Sequence, residues 1–306
     1  MKQQLMPYKG LGQFEKLYDL LKKYNNPARK YGLILFAGDN GISYEHTTIY
    51  PPMNSSAIVK DHIEGRSPTS RFLERIGRQE LIIDVGLCDY IKSEKVLERK
   101  IRKGTENFLR GNALSQAEVM GAIDVGKLIW EQSSCLNLDI IGIGEIGSGN
   151  TLCAAALACT ATGLHPRELV GRGSADNKVI GKKIDIIHRA ICQRCPDQNN
   201  VIDILARFGG LEIAALTGFL SRTAEYRVPV MLDGYVTAVA ALLASMLDSR
   251  IAEYLIAPGL SDNTGHVLVL NRLGLEAILD LDINYGEGFI ATIGMFFSEL
   301  AVSFFS

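Results

Sequence analysis

The sequence predicts an α/β fold in which a doubly wound, mainly parallel sheet of the Rossmann-like type is joined to a small helical subdomain. Two observations support this prediction. Short apolar runs that end in glycine or an acidic residue recur at residues 33–36, 81–83, 140–143, 230–232, 254–257 and 278–283. Stretches with helical periodicity lie between them, at residues 115–131, 151–162, 183–194 and 211–223. Alternation of buried strands with helices is typical of parallel α/β sheets.

The two ends of the chain differ from this alternating region. Residues 14–23 have the spacing of an amphipathic helix. We therefore predict that residues 1–30 and about 56–77, together with the C-terminal helix, form the helical subdomain. Residues 31–290 are then the large α/β domain that carries the active site. The apolar segment 288–306 is about one membrane span long but includes Glu299, so we predict a helix buried in the core.

The composition argues against several classes of function. The chain has 306 residues, of which 47% are hydrophobic and 22% charged, with a net charge of -2 and a pI near 6.2. A chain with these values has no positive electrostatic field that would attract nucleic acid or an anionic membrane. The histidines are scattered and Cys192-Gln-Arg-Cys195 has no second ligand pair, so we expect no metal and no cofactor. Because the N-terminal residues show no secretory signal, we expect reduced thiols and a cytoplasmic location.

Acidic residues follow several of the predicted strands. Ligands of parallel sheets bind beyond the carboxyl ends of the strands, so five acids should share that edge: Asp39, Asp84, Glu145, Asp233 and Glu287. Glu287 is the most informative because glycines flank it on both sides, just before an apolar helix. Glycines let the backbone turn sharply and let a ligand approach closely. The alternative interpretation is that Glu287 caps that helix.

A second glycine loop, residues 142–150, contains Glu145 and matches the GxGxxG pattern of dinucleotide sites. Against NAD binding, Glu145 would face the pyrophosphate, and no strand ending in an acid follows at the usual spacing. The loop leads into a helix of small residues that begins near Asn150 and Thr151 and whose free amide groups would face a ligand. Close packing of this helix on the sheet also explains its small residues, and both explanations can hold.

A third glycine loop, Gly171-Arg172-Gly173-Ser174, precedes Lys183 in the next predicted helix. Glycine amides, a hydroxyl group and cations together can bind a phosphate monoester. An ordinary surface loop followed by solvated lysines fits the same residue types equally well.

Taken in order, these loops resemble those of the nicotinate mononucleotide:dimethylbenzimidazole phosphoribosyltransferase family, which activates the lower-ligand base in cobalamin assembly. The matching segments are Ala37-Gly-Asp39-Asn-Gly41, Tyr50-Pro51, Asp84-Val-Gly86, Gly104-Thr-Glu-Asn107, Gly144-Glu145-Ile-Gly147-Ser-Gly-Asn150-Thr151, Gly171-Arg172-Gly173, Gly209-Gly-Leu-Glu212-Ile-Ala-Ala215, Leu232-Asp233-Gly234 and Gly286-Glu287-Gly288. The resemblance implies a Rossmann-like domain with a small helical domain, a dimer, and Glu287 as general base.

The implied reaction moves ribose phosphate from nicotinate mononucleotide to an aromatic base and releases nicotinate. The acceptor must lose a proton, which we predict Glu287 accepts. Glu145 is predicted to stabilise charge that develops on the ribose, or to bind a ribose hydroxyl. The predicted nucleotide and phosphate site comprises Gly147, Asn150, Thr151, Gly171, Arg172, Gly173, Ser174 and Lys183. The predicted acceptor pocket comprises Asp39, Tyr50, Ser55 and Gly286.

The chain departs from the family pattern where the acceptor should bind. Asn40 replaces a histidine of the family, Ala57 a glutamine and Ala175 a glycine. These changes favour the related phenol and p-cresol phosphoribosyltransferases, which consist of two different homologous subunits. The predicted acceptor is therefore phenol, p-cresol or a benzimidazole, and the dimer is either homomeric or formed with a homologous subunit. The main alternative is a catalytically degenerate partner subunit, and an NAD-dependent oxidoreductase is a distant third.

Overall fold

The computed structural model of the chain describes residues 10–134, 136–171, 173 and 176–305. One sheet forms its centre, with strands β1 (Tyr31–Gly38), β2 (Glu80–Gly86), β3 (Val96–Glu98), β4 (Ile140–Ile146), β5 (Val230–Met231) and β6 (Leu255–Ile256). The strands follow the order β3-β2-β1-β4-β5-β6, and each neighbouring pair is parallel. This is the strand order of doubly wound Rossmann folds. The predicted fold class is confirmed.

The central strands are continuously apolar because helices cover both faces of the sheet. Every residue of β4 is buried, and so is every residue of β1 except Gly32. Strands buried on both faces show apolar runs rather than alternation. Ala37 lies opposite Ile146 in the register of β1 and β4. The two strands therefore end together, and the loops that follow them begin at the same edge.

The helices of the described residues are α1 (Gln13–Lys22), α2 (Ser55–Ile63), α3 (Pro68–Arg75), α4 (Gln116–Ser134), α5 (Asn150–Thr162), α6 (Pro166–Leu169), α7 (Ile180–Arg194), α8 (Val201–Phe208), α9 (Leu211–Leu220), α10 (Thr223–Tyr226), α11 (Tyr235–Leu247), α12 (Thr264–Leu273) and α13 (Phe289–Phe305). Short 3-10 helices lie at Gly41–Glu45, Asn177–Val179 and Ser249–Tyr254. Helices α4, α5, α8, α9 and α11 pack on one face of the sheet, in the core that contains Phe36. Helices α1, α3 and α13 pack on the other face, with Leu33 and Leu35.

The first and last helices lie side by side. The Phe14 ring centroid is 5.5 Å from that of Phe297 and 5.4 Å from that of Phe304. Helix α13 also packs directly on the sheet, since a Cβ atom on Gly142 of β4 would lie 2.4 Å from Met295 Cε. Among the helices of the described residues, none has the length and apolar character needed to cross a membrane. The division of the chain into two domains stays a prediction.

The predicted strand at residues 278–283 is wrong. The segment is irregular and runs beside the end of β6, where Leu279 forms an isolated parallel bridge with Gly259. Asp282 has φ of 50°, outside the extended region, so the chain cannot continue as a strand there. Conversely, β3 was not predicted because its three residues, Val96-Leu-Glu98, are too few to form a pattern.

Candidate active site

A cleft opens at the carboxyl edge of the sheet, beyond the ends of β4, β5 and β6. Its empty volume is about 1150 Å³ including the part open to solvent. Glu145 and Glu287 both line it. So do six more of the predicted site residues: Tyr50, Gly147, Asn150, Thr151, Gly173 and Gly286. The fold thus brings the predicted nucleotide and acceptor residues to one cavity.

The loop that carries Glu287 is held by close packing on the sheet. Gly288 has φ of 75°, and a Cβ atom there would come within 2.7 Å of Leu33 Cδ1. A Cβ atom on Gly144 of β4 would come within 2.6 Å of Gly288 N. Loop and strand can touch because both positions are glycine. A Cβ atom on Gly286, in contrast, would meet nothing nearer than 3.9 Å.

Asp233, which follows β5, caps the helix after this loop. Its carboxylate accepts hydrogen bonds from the amides of Gly288 (3.0 Å), Ile290 (3.0 Å) and Ala291 (3.3 Å), at the start of α13. Burial raises the pKa of Asp233 to about 7, although these three bonds act in the opposite direction. The helix cap that the sequence offered as an alternative role for Glu287 is therefore provided by Asp233.

Glu287 is held in one orientation by groups from three segments. Its φ is 61°, a left-handed conformation that costs a non-glycine residue about 1 kcal/mol or more. Thr69 Oγ1 donates to its carbonyl oxygen at 3.0 Å. His62 Nε2 lies 3.0 Å from its Oε2, and the Tyr285 hydroxyl donates to the same oxygen. The side chain is 13% exposed, so a firmly mounted carboxylate reaches the cleft.

His62 and Glu80 are site residues that the sequence did not suggest. His62 of α2 is fully buried, and its Nδ1 lies 2.9 Å from Glu80 Oε2. Burial lowers the pKa of His62, but hydrogen bonds to Glu287 and Glu80 and their charges outweigh it and raise the pKa to about 9. One signal was present in the sequence: His62 lies three residues after Val59, on the buried face of α2. Its two acidic partners are distant in sequence and left no such signal.

Glu145, in β4, lies at the centre of the buried acids. Asn150 donates to its Oε2 from the first turn of α5. Burial, followed by the negative charges of Glu212 and Asp233, raises the pKa of Glu145 well above its ordinary value. The neutral acid is therefore favoured, and it could donate to a ribose hydroxyl. A cation in the cleft would favour the carboxylate instead.

Glu212, in the first turn of α9, lies beneath the loop that follows β4. It is fully buried, and Asn40 Nδ2 donates to its Oε1 at 2.8 Å. Burial raises the pKa of Glu212 to about 7. A Cβ atom on Gly147 would lie 2.8 Å from Glu212 Oε1. Packing on Glu212 thus accounts for Gly147 irrespective of any bound ligand.

The end of the cleft opposite Glu287 combines a helix N-terminus with a buried lysine. Asn150 and Thr151 begin α5 and line the cleft, but their amides already donate within this turn, to the Gly147 carbonyl at 3.2 Å and to Asn150 Oδ1 at 2.6 Å. Lys183 of α7 is 3% exposed and donates to the carbonyl of Gly171 at 3.3 Å. Its Nζ would lie 3.3 Å from a Cβ atom on Gly173, and burial lowers its pKa to about 8. Arg172 and Ser174 of the predicted phosphate loop lie outside the described residues.

Two predicted acceptor residues lie beneath the cleft. Asp39 is fully buried and accepts hydrogen bonds from the amides of Ser55 (2.9 Å) and Cys88 (2.8 Å). The Ser55 hydroxyl in turn accepts a hydrogen bond from the amide of Ser148 at 2.8 Å. These bonds join the ends of β1 and β2 to α2 and to the loop after β4, and so hold the walls of the cleft. Direct binding of the acceptor by Asp39 or Ser55 stays a prediction.

Proteins of known family resemble this chain in both sequence and fold. A sequence model described as phosphoribosyltransferase matches residues 1–306. The chain belongs to this phosphoribosyltransferase family. Its relatives include the nicotinate-nucleotide–dimethylbenzimidazole phosphoribosyltransferase of Acetivibrio thermocellus, 31% identical over 303 residues that span 96% of this chain and 86% of the relative. The enzyme of the same name from Geobacter sp. strain M21 is 33% identical over 269 residues, 87% of this chain and 77% of the relative.

Solved structures of the phosphoribosyltransferase family agree with the sequence matches. The crystal structure of CobT from Thermus thermophilus aligns with a TM-score of 0.89 at 28% identity, covering 98% of this chain and 91% of that one. The family resemblance predicted from the glycine loops is confirmed, as is the prediction of a phosphoribosyltransferase, a glycosyltransferase of the pentosyl class. Within the described residues, we find no group of three or more His, Cys, Asp or Glu side chains that could hold a metal ion.

Proposed function

We propose that this chain transfers the phosphoribosyl group of nicotinate mononucleotide to an aromatic lower-ligand base of a cobamide and releases nicotinate. One observation carries the proposal. The firmly mounted carboxylate of Glu287 shares a cleft with Glu145, the N-terminus of α5 and the turn at Gly173. The names of the relatives, which specify nicotinate nucleotide and dimethylbenzimidazole, support the same pair of substrates.

The cleft suggests how the nucleotide would bind. Its phosphate would lie beside the Thr151 hydroxyl at the start of α5, with Lys183 behind Gly173 providing positive charge. The ribose would then lie near Glu145, and C1′ would face the acceptor beside Glu287. Binding at both ends fixes the distance between the reacting atoms, which is the main contribution that positioning makes to a transfer between two substrates.

The transfer needs one base and no acid. The glycosidic nitrogen of nicotinate mononucleotide is a pyridinium, so nicotinate leaves with the electron pair of the C1′–N bond and takes no proton. The acceptor forms its bond to C1′ from a nitrogen or an oxygen atom and gives up the proton that this atom, or the azole ring, carried. Glu287 accepts that proton as general base and later releases it to water.

We extend the proposal to phenol and p-cresol as acceptors, alongside benzimidazoles. The Tyr285 hydroxyl already donates to the Glu287 carboxylate, so a phenolic O–H fits the geometry of this base. Tyr50, Ile58 and Ile146 provide aromatic and apolar walls for a ring. Ala57, where the family usually has glutamine, is exposed and is not among the residues that line the cleft.

The test is an assay of the purified chain with nicotinate mononucleotide and each of phenol, p-cresol and dimethylbenzimidazole, with nucleotide products identified by mass. We expect release of nicotinate together with a ribosylated acceptor. Product formed only after a homologous subunit is added would favour the degenerate-partner alternative, which the intact pair Glu145 and Glu287 argues against. No product with any acceptor under either condition would refute the proposal.

A further inference from the structure

Behind the cleft, three ionisable side chains form a buried row: Glu80 at the start of β2, His62 in the last turn of α2, and Glu287. The imidazole lies between the two carboxylates, with Nδ1 2.9 Å from Glu80 Oε2 and Nε2 3.0 Å from Glu287 Oε2. The side chain of His62 is 0% exposed and that of Glu80 is 5% exposed. Glu287 is thus joined through His62 to a second carboxylate that has no direct part in the transfer.

The geometry favours a positively charged His62, because a neutral imidazole would need a protonated carboxyl group as a donor on one side. A neutral imidazole has one N–H donor and one lone pair, whereas both nitrogens of His62 face carboxylate oxygens. Only the imidazolium form can donate to both. The titratable groups that face His62 are Glu80 from β2 and Glu287 from the loop before α13. Around Glu287 lie Tyr285 and Tyr50, with Asp233 and Glu145 on the sheet side.

Stability alone does not account for this row. Removing charges from water is costly, and buried ion pairs are often no more stabilising than apolar residues of similar volume. Glu80 adds to the cost, because its Oε1 is buried without a hydrogen-bonding partner among the described residues. A reason connected with Glu287, the group that His62 contacts on its other side, is therefore needed.

The row leaves one oxygen of Glu287 available. Oε2 accepts hydrogen bonds from both His62 and Tyr285, while Thr69 holds the carbonyl oxygen of the same residue. No described residue forms a hydrogen bond with Oε1, and the partly exposed side chain lines the cleft. Oε1 is thereby the oxygen that an acceptor can reach.

We propose that His62, held by Glu80, is a positioning residue that fixes Oε2 of Glu287 and presents Oε1 to the acceptor. The inference rests on the proposed function. As the acceptor bonds to C1′ and the bond from C1′ to the pyridinium nitrogen breaks, the acceptor proton moves to Oε1 and then to water. His62 and Glu80 exchange no proton with the substrate.

The first experiment is the pH profile of kcat in His62→Gln and Glu80→Gln, with His188→Gln, an exposed histidine of α7, as matched control. We expect His62→Gln to lower kcat by about 10- to 100-fold, because a small misplacement of a reacting group has effects of this size. In the wild type, we expect kcat to decline near pH 9 as His62 loses its proton. This basic limb of the pH profile should be absent from His62→Gln.

Glu80→Gln should act on the other side of the row. It removes one of the two negative charges that favour the imidazolium, so the basic limb should move to lower pH. In both variants the KM for nicotinate mononucleotide should stay within a few-fold of the wild-type value, because the phosphate end is untouched. A purely structural role would instead lower the amount of folded protein and leave the basic limb in place.

The second experiment measures the protonation state of His62 by NMR of histidine-labelled protein. The signal of His62 is assigned as the one that is missing from the spectrum of His62→Gln. We expect an imidazolium at pH 7 in the wild type, and titration at lower pH in Glu287→Gln. A neutral His62 at pH 7, or a folded His62→Gln with wild-type kcat and the wild-type basic limb, would overturn the proposal. A wild-type chain that makes no product would refute the proposed function, and the imidazole titration would then decide whether the row is charged.

Discussion

The two ends of the cleft are built in different ways. At the base end, Glu287 accepts hydrogen bonds from two side chains, and its loop packs on β4 without space for a Cβ atom on Gly288. At the phosphate end, a ligand would meet the Thr151 hydroxyl at the start of α5 and Lys183, whose pKa burial lowers to about 8. The base end thus holds a carboxylate in a fixed position. The phosphate end holds a lysine whose lowered pKa lets it lose its charge more readily. Changes at the base end should therefore reduce turnover, and changes at the phosphate end should reduce affinity.

The largest effect that separates the two ends is expected from Glu287→Gln. The amide preserves the shape of the side chain but cannot accept a proton, so kcat should fall by about two to four orders of magnitude. Binding of nicotinate mononucleotide, measured by calorimetry, should stay nearly unchanged. Glu94→Gln, an exposed acid before β3, is the matched control. Full turnover in Glu287→Gln would remove the general-base assignment.

Lys183→Ala tests the opposite end. A charge-assisted hydrogen bond contributes about 1.5–3 kcal/mol, so nucleotide affinity should fall about 10- to 150-fold, while kcat at saturating nucleotide changes little. The neighbouring Lys182 is exposed and donates to the carbonyl of Glu45, and Lys182→Ala is the control. Equal affinities of the two variants by calorimetry would count against a phosphate role for Lys183.

Gly288→Ala tests whether close packing holds the base end in place. The left-handed backbone costs alanine about 1–2 kcal/mol, and the contact with Leu33 adds an overpacking cost of about 1–3 kcal/mol. We expect the free energy of unfolding in urea to fall by about 2 kcal/mol or more. Gly286→Ala is the matched control, because nothing lies nearer than 3.9 Å to its Cβ position. Similar stabilities of the two variants would show that packing at Gly288 is not what fixes the loop.

The fold class and the glycine loops could be predicted from the sequence because both leave signals within short segments. The runs at β1, β2 and β4 are apolar since both faces of those strands are covered, and this needs no knowledge of their neighbours. Glu145 and Glu287 could be identified because each lies next to glycine in the sequence, and glycine lets a ligand approach the acid closely. The segment at 278–283 misled the prediction because its apolar residues resemble a strand, whereas it only runs beside β6.

The rest of the site depends on contacts between distant segments. His62 is 18 residues from Glu80 and 225 residues from Glu287, so no motif joins them. Asp39 shows a further case: its place at a strand end was read from the sequence, but its hydrogen bonds with the amides of Ser55 and Cys88 were not. Contacts of this kind become visible only in the folded chain.

The smallest predicted effect is a pH dependence confined to the phosphate end. Burial lowers the pKa of Lys183 to about 8, so the free protein loses this charge as pH rises through that value and keeps it below. Because kcat/KM reports ionisations of the free enzyme, kcat/KM for the nucleotide should fall by up to about tenfold between pH 7 and pH 9. In Lys183→Arg the charge persists and the decline centred near pH 8 should vanish, since arginine stays protonated throughout the range. Only the decline near pH 9 that deprotonation of His62 causes should then remain. A decline near pH 8 that persists unchanged in Lys183→Arg would have to come from another group, and the contrast between a fixed base and a titratable phosphate site would then be lost.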